Sequence, residues 1–233
     1  MTRSLGAILL AFASLKCAAA RSDAIRPSEP PPASPSYPWR LPRGFPVPRV
    51  PADNPMSEAK VELGRRLFYD RALSGNGTFA CATCHRQELA FTDGRARAVG
   101  STGEPHPRGA LSLANVAYAA TLTWVDPDLS RLEDQVLTPM FNQDPVELGL
   151  AGRTGEMLER LRSDPRYPGM FVNAFPGESE PVTLRNVARA LACFERTLLS
   201  GDSPYDRLVY GGDTGALSES ALRGMKLFFS EDL

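Results

Sequence analysis

An all-α fold with long connecting loops is predicted by three features of the sequence. "SEAKVELGRRLFYD" opens at Ser57 with acid in its first turn and places Val61, Gly64 and Phe68 on one helical face. "TLRNVARALACFERTLLSG" repeats apolar residues at Leu184, Val187, Ala188, Leu191 and Leu198, between a polar start near Thr183 and a stop at Gly201. No alternating run is long enough to suggest a sheet. Shorter helices are predicted over 111–121, 129–137 and 155–163.

What precedes these helices is of another kind. "MTRSLGAILLAFASLKCAAARSDA" has a basic start at Arg3, an apolar run from Leu5 to Leu15 and small residues at Ala18 to Ala20. This is the pattern of a secretory signal over residues 1–20, cut after Ala20, with an apolar run too short to span a bilayer. Lys16 before Cys17 is the wrong residue for a lipid-anchor cleavage site. The expected product is exported, without a transmembrane segment, and in a Gram-negative cell periplasmic. The 21 prolines cluster in "RPSEPPPASPSYPWRLPRGFPVPRVPADNP". Proline removes donors and fixes φ, so residues 21–53 are expected to form a tether or a strap, with Leu41, Phe45, Val47 and Val50 available to pack on a domain that starts near residue 54. A net charge of −1 with 23% charged residues gives no electrostatic case for nucleic acid.

The chemistry concentrates in "FACATCHRQELAFTDGR". Cys81-Ala82-Thr83-Cys84-His85 is the attachment pattern of a c-type haem. Two thiols on one turn can each add to a vinyl group of one porphyrin, and the adjacent imidazole can then serve as the proximal iron ligand. A thioredoxin-like pair needs a surrounding βαβ pattern that the flanks do not show. A zinc site needs a second ligand pair, and only the scattered Cys17, Cys193 and His106 remain. Chance occurrence is opposed by the export signal, since haem c is attached in that compartment. Cys193, inside an apolar helical pattern, reads as a buried thiol. The haem itself is expected to supply much of the core.

An internal comparison adds to this. "LGRRLFY" (63–69) and "RGMKLFF" (223–229) share Gly-x-x-Leu-Phe-aromatic, and each follows a Ser-Glu pair, Ser57-Glu58 and Ser218-Glu219. With the haem motif, the repeat suggests that a second haem domain is begun and cut off; read alone, it is just a C-terminal helix.

From about residue 54 onward, the chain resembles the bacterial di-haem cytochrome c peroxidase family, with its MauG-like branch and the MbnH-like subgroup within that. The stretches that carry the likeness are "LGRRLFYDRALSGNGTFACATCH", "RGALSLANVAYAATLTW", "LEDQVLTPMFNQDPVELG", "ALACFERTLLSGDSPYDR" and "GALSESALRGMKLFF". The resemblance implies a cytochrome c-like haem domain with long loops at 54–200, and the first helix or helices of a second such domain at 201–233. In the family a second Cys-x-x-Cys-His follows the last of these motifs almost at once, and it is absent here.

The resemblance also implies roles. His85 becomes the proximal ligand of the haem that reacts with peroxide. Gln135, Pro139 and Glu147 match the family's distal residues in order, with a Pro-to-Glu interval about two residues longer than usual. Cleavage of hydrogen peroxide requires a proton to move from one oxygen to the other, which a carboxylate can shuttle while an amide orients the leaving water. Outside the family context Gln135 is a solvated helix position and Glu147 a helix-start residue. Trp124 matches a tryptophan that relays electrons between two haems; on its own it is a core aromatic. His106 is the remaining histidine and hence the candidate histidine sixth ligand of the iron. It lies several residues later than that ligand usually does, and the MauG-like branch leaves the iron open. An open iron, with His106 on a surface loop, is therefore the favoured expectation. Met140 is an alternative sixth ligand, although "TPMF" favours packing. Gly109 stands where the family often has a calcium-binding asparagine, so calcium is doubtful.

The first functional expectation is a peroxide-dependent haem c oxidoreductase. It either reduces hydrogen peroxide with electrons from a small donor protein or oxidises a side chain of a partner protein. The second is a mono-haem electron-transfer cytochrome with a strong sixth ligand, which has no use for distal acid–base groups. The third is an inactive truncated fragment, supported by the apolar residues of "LRGMKLFFSEDL".

Overall fold

The computed structural model describes residues 37–123 and 126–230. The signal-like segment, with Cys17, and Trp124 lie outside the described residues. Among those described, the regular structure is helical, with isolated bridges such as Arg86 to Thr92 and no strand.

Two long helices form the centre, α1 (Glu58–Phe68) and the one predicted from the Thr183 start, Leu184–Glu195. Ser57 and Thr183 cap them, their hydroxyls accepting the N–H groups of Lys60 and Asn186 at 3.2 Å each. Their contact depends on Gly64, where a Cβ would lie 1.9 Å from the carbonyl oxygen of Ala190. The approach buries Leu63, Leu67 and Phe68 completely against Val187 and Leu191.

Between these two helices the chain makes the 3₁₀ turn Arg71–Leu73 and then α2 (Cys81–Cys84), α3 (Leu132–Gln135), α4 (Leu137–Phe141), α5 (Thr154–Ser163) and α6 (Tyr167–Ala174), so that Leu184–Glu195 is α7. The predicted 129–137 helix is thus two short pieces, and 155–163 is α5. No helix forms over 111–121, which holds only the 3₁₀ turn Val116–Tyr118. Asn115 there takes φ +60°, and its amide bonds both to the N–H of Ser200 at 2.8 Å and to the carbonyl of Ser200 at 2.9 Å. That tie to the segment after α7 replaces the helical ladder.

A buried polar cluster fixes α3 to α7. Arg196 donates to both oxygens of Glu133 at 2.7 and 2.8 Å, and Asn54 donates to Glu133 at 2.7 Å. Burial alone would raise the Glu133 pKa, but the bonds from Arg196 and Asn54 outweigh it and hold the carboxyl below its ordinary value. Cys193 is fully buried beside Asn54, its thiol pushed up to about 11 by burial, as expected of a packing cysteine.

Residues 37–53 run as an irregular strap over the helices. Phe45 meets Tyr118 edge-on at 5.7 Å, and the Tyr118 hydroxyl donates to the Pro46 carbonyl at 2.7 Å. Leu41, Phe45 and Val50 are half-buried, whereas Val47 remains 61% exposed and does not pack as expected.

After α7 come α8 (Pro204–Val209) and α9 (Glu219–Phe228). The Ser218 hydroxyl accepts the N–H of Ala221 at 3.2 Å, so both copies of the internal repeat begin on a serine cap. Their surroundings differ. Nothing lies within 4 Å of a Cβ at Gly224, and Leu227 and Phe228, the counterparts of buried Leu67 and Phe68, are 61% and 77% exposed.

Candidate haem site

One cavity of about 280 Å³ collects the sequence-predicted residues. Cys81, Cys84 and His85 line one side; Gln135, Pro139 and Glu147 line it as well, together with His106. Its remaining walls are largely apolar, among them Leu111, Leu113, Leu122, Val136 and Leu148.

The attachment side is built from local bonds. The Thr83 hydroxyl accepts the N–H of Ala80 at 3.0 Å, and the N–H of His85 reaches the Cys81 carbonyl at 2.9 Å, closing one turn that brings both thiols to the cavity. Burial pushes the Cys84 thiol up to about 11 and the Cys81 thiol higher still. Such thiols stay protonated, which disfavours a thioredoxin-like role. The imidazole is oriented by backbone. Because a carbonyl can only accept, His85 Nδ1–H donates to the Phe91 oxygen at 2.9 Å, which leaves Nε2 unprotonated in the neutral ring and able to serve as a ligand. Burial lowers the His85 pKa against the Phe91 and Leu111 carbonyls, so the neutral, ligating form is favoured.

The segment that carries Pro139 and Glu147 is held by main chain. The N–H groups of Leu148 and Leu150 reach the carbonyls of Pro139 and Met140, each at 2.9 Å. Between Pro139 and Glu147 the chain loops out, and Gln143 and Asp144 are exposed. Ser101 N–H donates to the Glu147 carbonyl at 2.8 Å. Gly100 is needed beside it, since a Cβ there would lie 1.9 Å from the Val146 oxygen. Gly75, just before the haem motif, meets the same segment, a Cβ being 2.1 Å from the Gly149 oxygen. Burial raises the Glu147 pKa, opposed by the nearby His106.

His106 is not a surface histidine: it is 8% exposed, lines the cavity and places Nε2 3.2 Å from the Val146 carbonyl. The loop folds inward because the N–H of His106 bonds to the Ala98 carbonyl at 2.7 Å. Met140 is a core residue, 1% exposed, and Gly109 has no room for a side chain, its Cβ position being 2.3 Å from the Arg95 oxygen. Thr123, next to Trp124, lines the cavity.

Glu195 was missed. It borders the cavity from α7, 5% exposed, with Oε2 buried and unpartnered. The signal was present, because Glu195 falls at helical spacing between Leu191 and Leu198 on the apolar stripe.

The residues fit a haem c: a thiol pair on one turn, an imidazole with its ligand nitrogen free, apolar walls and an orphaned buried carboxyl oxygen. Fold and site together define a c-type haem protein. The comparisons carry this further. A family model described as "Di-haem cytochrome c peroxidase" matches residues 58–214, and the chain belongs to that family. It is 39% identical over 190 residues to the methylamine utilization protein MauG of Methylorubrum extorquens, covering 82% of this chain and 51% of that one. To the cytochrome c551 peroxidase of Pseudomonas aeruginosa it is 34% identical over 175 residues, covering 75% and 49%. Among solved structures, a MauG-like protein associated with microbial copper homeostasis superposes with a TM-score of 0.78 at 48% identity, over 82% of this chain and 55% of the other. The chain thus spans about half the length of the curated relatives it matches.

Proposed function

We propose that this chain carries the peroxide-reacting haem domain of a periplasmic oxidoreductase. One haem c would be attached at Cys81 and Cys84 with His85 as proximal ligand. The carrying observation is that Glu147 and Gln135 share one cavity with that attachment motif. When bound, the haem supplies the iron centre and the redox equivalents for cleaving the O–O bond. The Glu147 carboxylate takes a proton from hydrogen peroxide and returns it to the oxygen that departs as water, while the Gln135 amide holds that water. Pro139 closes the wall without offering a donor, and its carbonyl is already occupied by Leu148. With two electrons and two protons, one hydrogen peroxide gives two waters. The electrons come from a small donor protein or, in the MauG manner, from a side chain of a partner protein. Trp124 is assigned the relay away from the cavity, which Thr123 beside it supports. The signal pattern at 1–20 supports the periplasm, and among the described residues no helix is long and apolar enough to cross a membrane. Calcium is not assigned, since Gly109 offers no side-chain ligand. We assign 54–200 to the peroxide-reacting domain and 201–233 to the start of a second cytochrome c-like domain, which the serine-capped repeat supports.

A second reading is favoured by the burial of His106 on the cavity wall. If that imidazole caps the iron, the domain is an electron carrier. Ferric spectra of the haem-loaded protein decide between them. A high-spin spectrum that changes within seconds of adding peroxide supports the enzyme; a low-spin spectrum inert to peroxide, turned high-spin by His106→Ala, sinks it.

A further inference from the structure

Glu195 is the buried acid for which the peroxide chemistry has no use. It stands on α7, the most deeply packed helix, between Ala192 and Phe194 of the core and the buried Arg196. Its Oε2 has no hydrogen-bond partner, although the cavity lies beside it. The natural partner, Arg196, is turned away, both its terminal nitrogens donating to Glu133 at 2.7 and 2.8 Å. An isolated carboxylate in such a place loses its hydration without compensation. Burial accordingly pushes the Glu195 pKa up to about 8, with Arg196 opposing and Glu133 adding to the rise. The charged or titratable groups that share the cavity with it are Cys81 of α2, whose thiol feels the Glu195 charge and would be consumed as a thioether, Cys84, His85, His106, Arg108 and Glu147.

We propose that Glu195 is a redox-linked proton site for the haem cavity, gaining a proton when the iron is reduced and releasing it when the iron is oxidised. This rests on the haem reading above. The balance is one electron and one proton: ferric haem with Glu195 carboxylate, plus an electron from a one-electron donor protein and a proton from solvent, gives ferrous haem with Glu195 carboxylic acid. Reduction removes one positive charge from the iron, and beside a largely apolar cavity that change is felt strongly by a buried carboxylate. The fixed backbone of α7 keeps the group from escaping to solvent, so it answers by protonation.

The test is the haem midpoint potential against pH in the haem-loaded protein, for wild type and Glu195→Gln, with a chemical reductant and mediators as electron source. The wild-type potential should fall with rising pH near neutrality, by at most one proton per electron, and E195Q should lose most of that slope. Reduced-minus-oxidised infrared spectra of the wild type should show a protonated-carboxyl band, which Glu195→Asp shifts; this readout stands even if E195Q fails to fold. An unchanged slope in E195Q, or no such band in the wild type, overturns the proposal. Failure of covalent haem attachment, read separately from the pyridine haemochrome, would overturn the haem reading itself and this proposal with it.

Discussion

His85 Nδ1 and the carbonyl oxygen of Phe91 lie 2.9 Å apart, across a turn in which Ala90 and Phe91 hold φ of +54° and +60°. A left-handed phenylalanine is costly, and here the cost aims a carbonyl at the ring proposed as the proximal ligand. Asparagine tolerates this conformation, whereas a β-branched residue does not. Phe91→Val is therefore expected to relax the turn, at about 1–3 kcal/mol of strain, and to loosen the imidazole. Phe91→Asn should keep the bond, and both lose the ring contact with Phe68, so their difference isolates the backbone. The iron–histidine stretch in resonance Raman spectra of the ferrous protein should weaken in the valine variant alone.

Glu147 acts as a proton acceptor only when ionised, and burial raises its pKa. The rate of reaction with peroxide should rise with pH through a midpoint above the ordinary carboxylate range. Glu147→Gln should remove that limb and slow the reaction by roughly 10²–10⁴-fold. Stopped-flow mixing across pH checks both; a variant that keeps the wild-type profile would exclude Glu147.

Glu133 and Arg196 form a buried pair, 7% and 4% exposed at their side chains. Glu133→Ala strands the guanidinium and should cost about 3–5 kcal/mol, much more than replacing both by apolar residues. The folded Glu133 pKa lies below its unfolded value, so its contribution is present above the unfolded pKa. It is lost as pH falls through the folded one. Denaturant titrations should show this acid loss in wild type and a flatter acid limb in Glu133→Gln.

Gly64 and Gly224 occupy the same place in the two repeat copies and should answer oppositely to alanine. Gly64→Ala drives a methyl into the Ala190 carbonyl and should lower stability by about 1–3 kcal/mol or more. Gly224→Ala meets nothing and should be neutral, or stabilise α9 by up to about 1 kcal/mol through helix propensity. Thermal melts of the two variants separate them.

The sequence was legible where one local pattern decided the outcome. The capped apolar stripes gave α1 and α7, and the thiol spacing gave the attachment turn. It was less legible where a local signal was ambiguous. Helix α6 was not anticipated, and Pro168 lies in its first turn, where no donor is needed. Segment 111–121 has helical composition, yet Asn115 trades the helix for Ser200, more than 80 residues away. The distal residues were placed by family likeness alone, because what brings Glu147 to the cavity is contact between distant loops. Inward-turned His106 was hidden for the same reason.

The near-touching main chains at Gly75–Gly149 and Gly100–Val146 carry a consequence for how such a site changes over time. The spacing of these segments behind the cavity is set like the gauge of a track, by peptide units in direct contact that a side chain at Gly75 or Gly100 would force apart. Point substitutions can alter what the walls are made of. Widening the chamber without breaking those contacts would take added or deleted residues in the stretch between Pro139 and Glu147, where Gln143 and Asp144 already face outward.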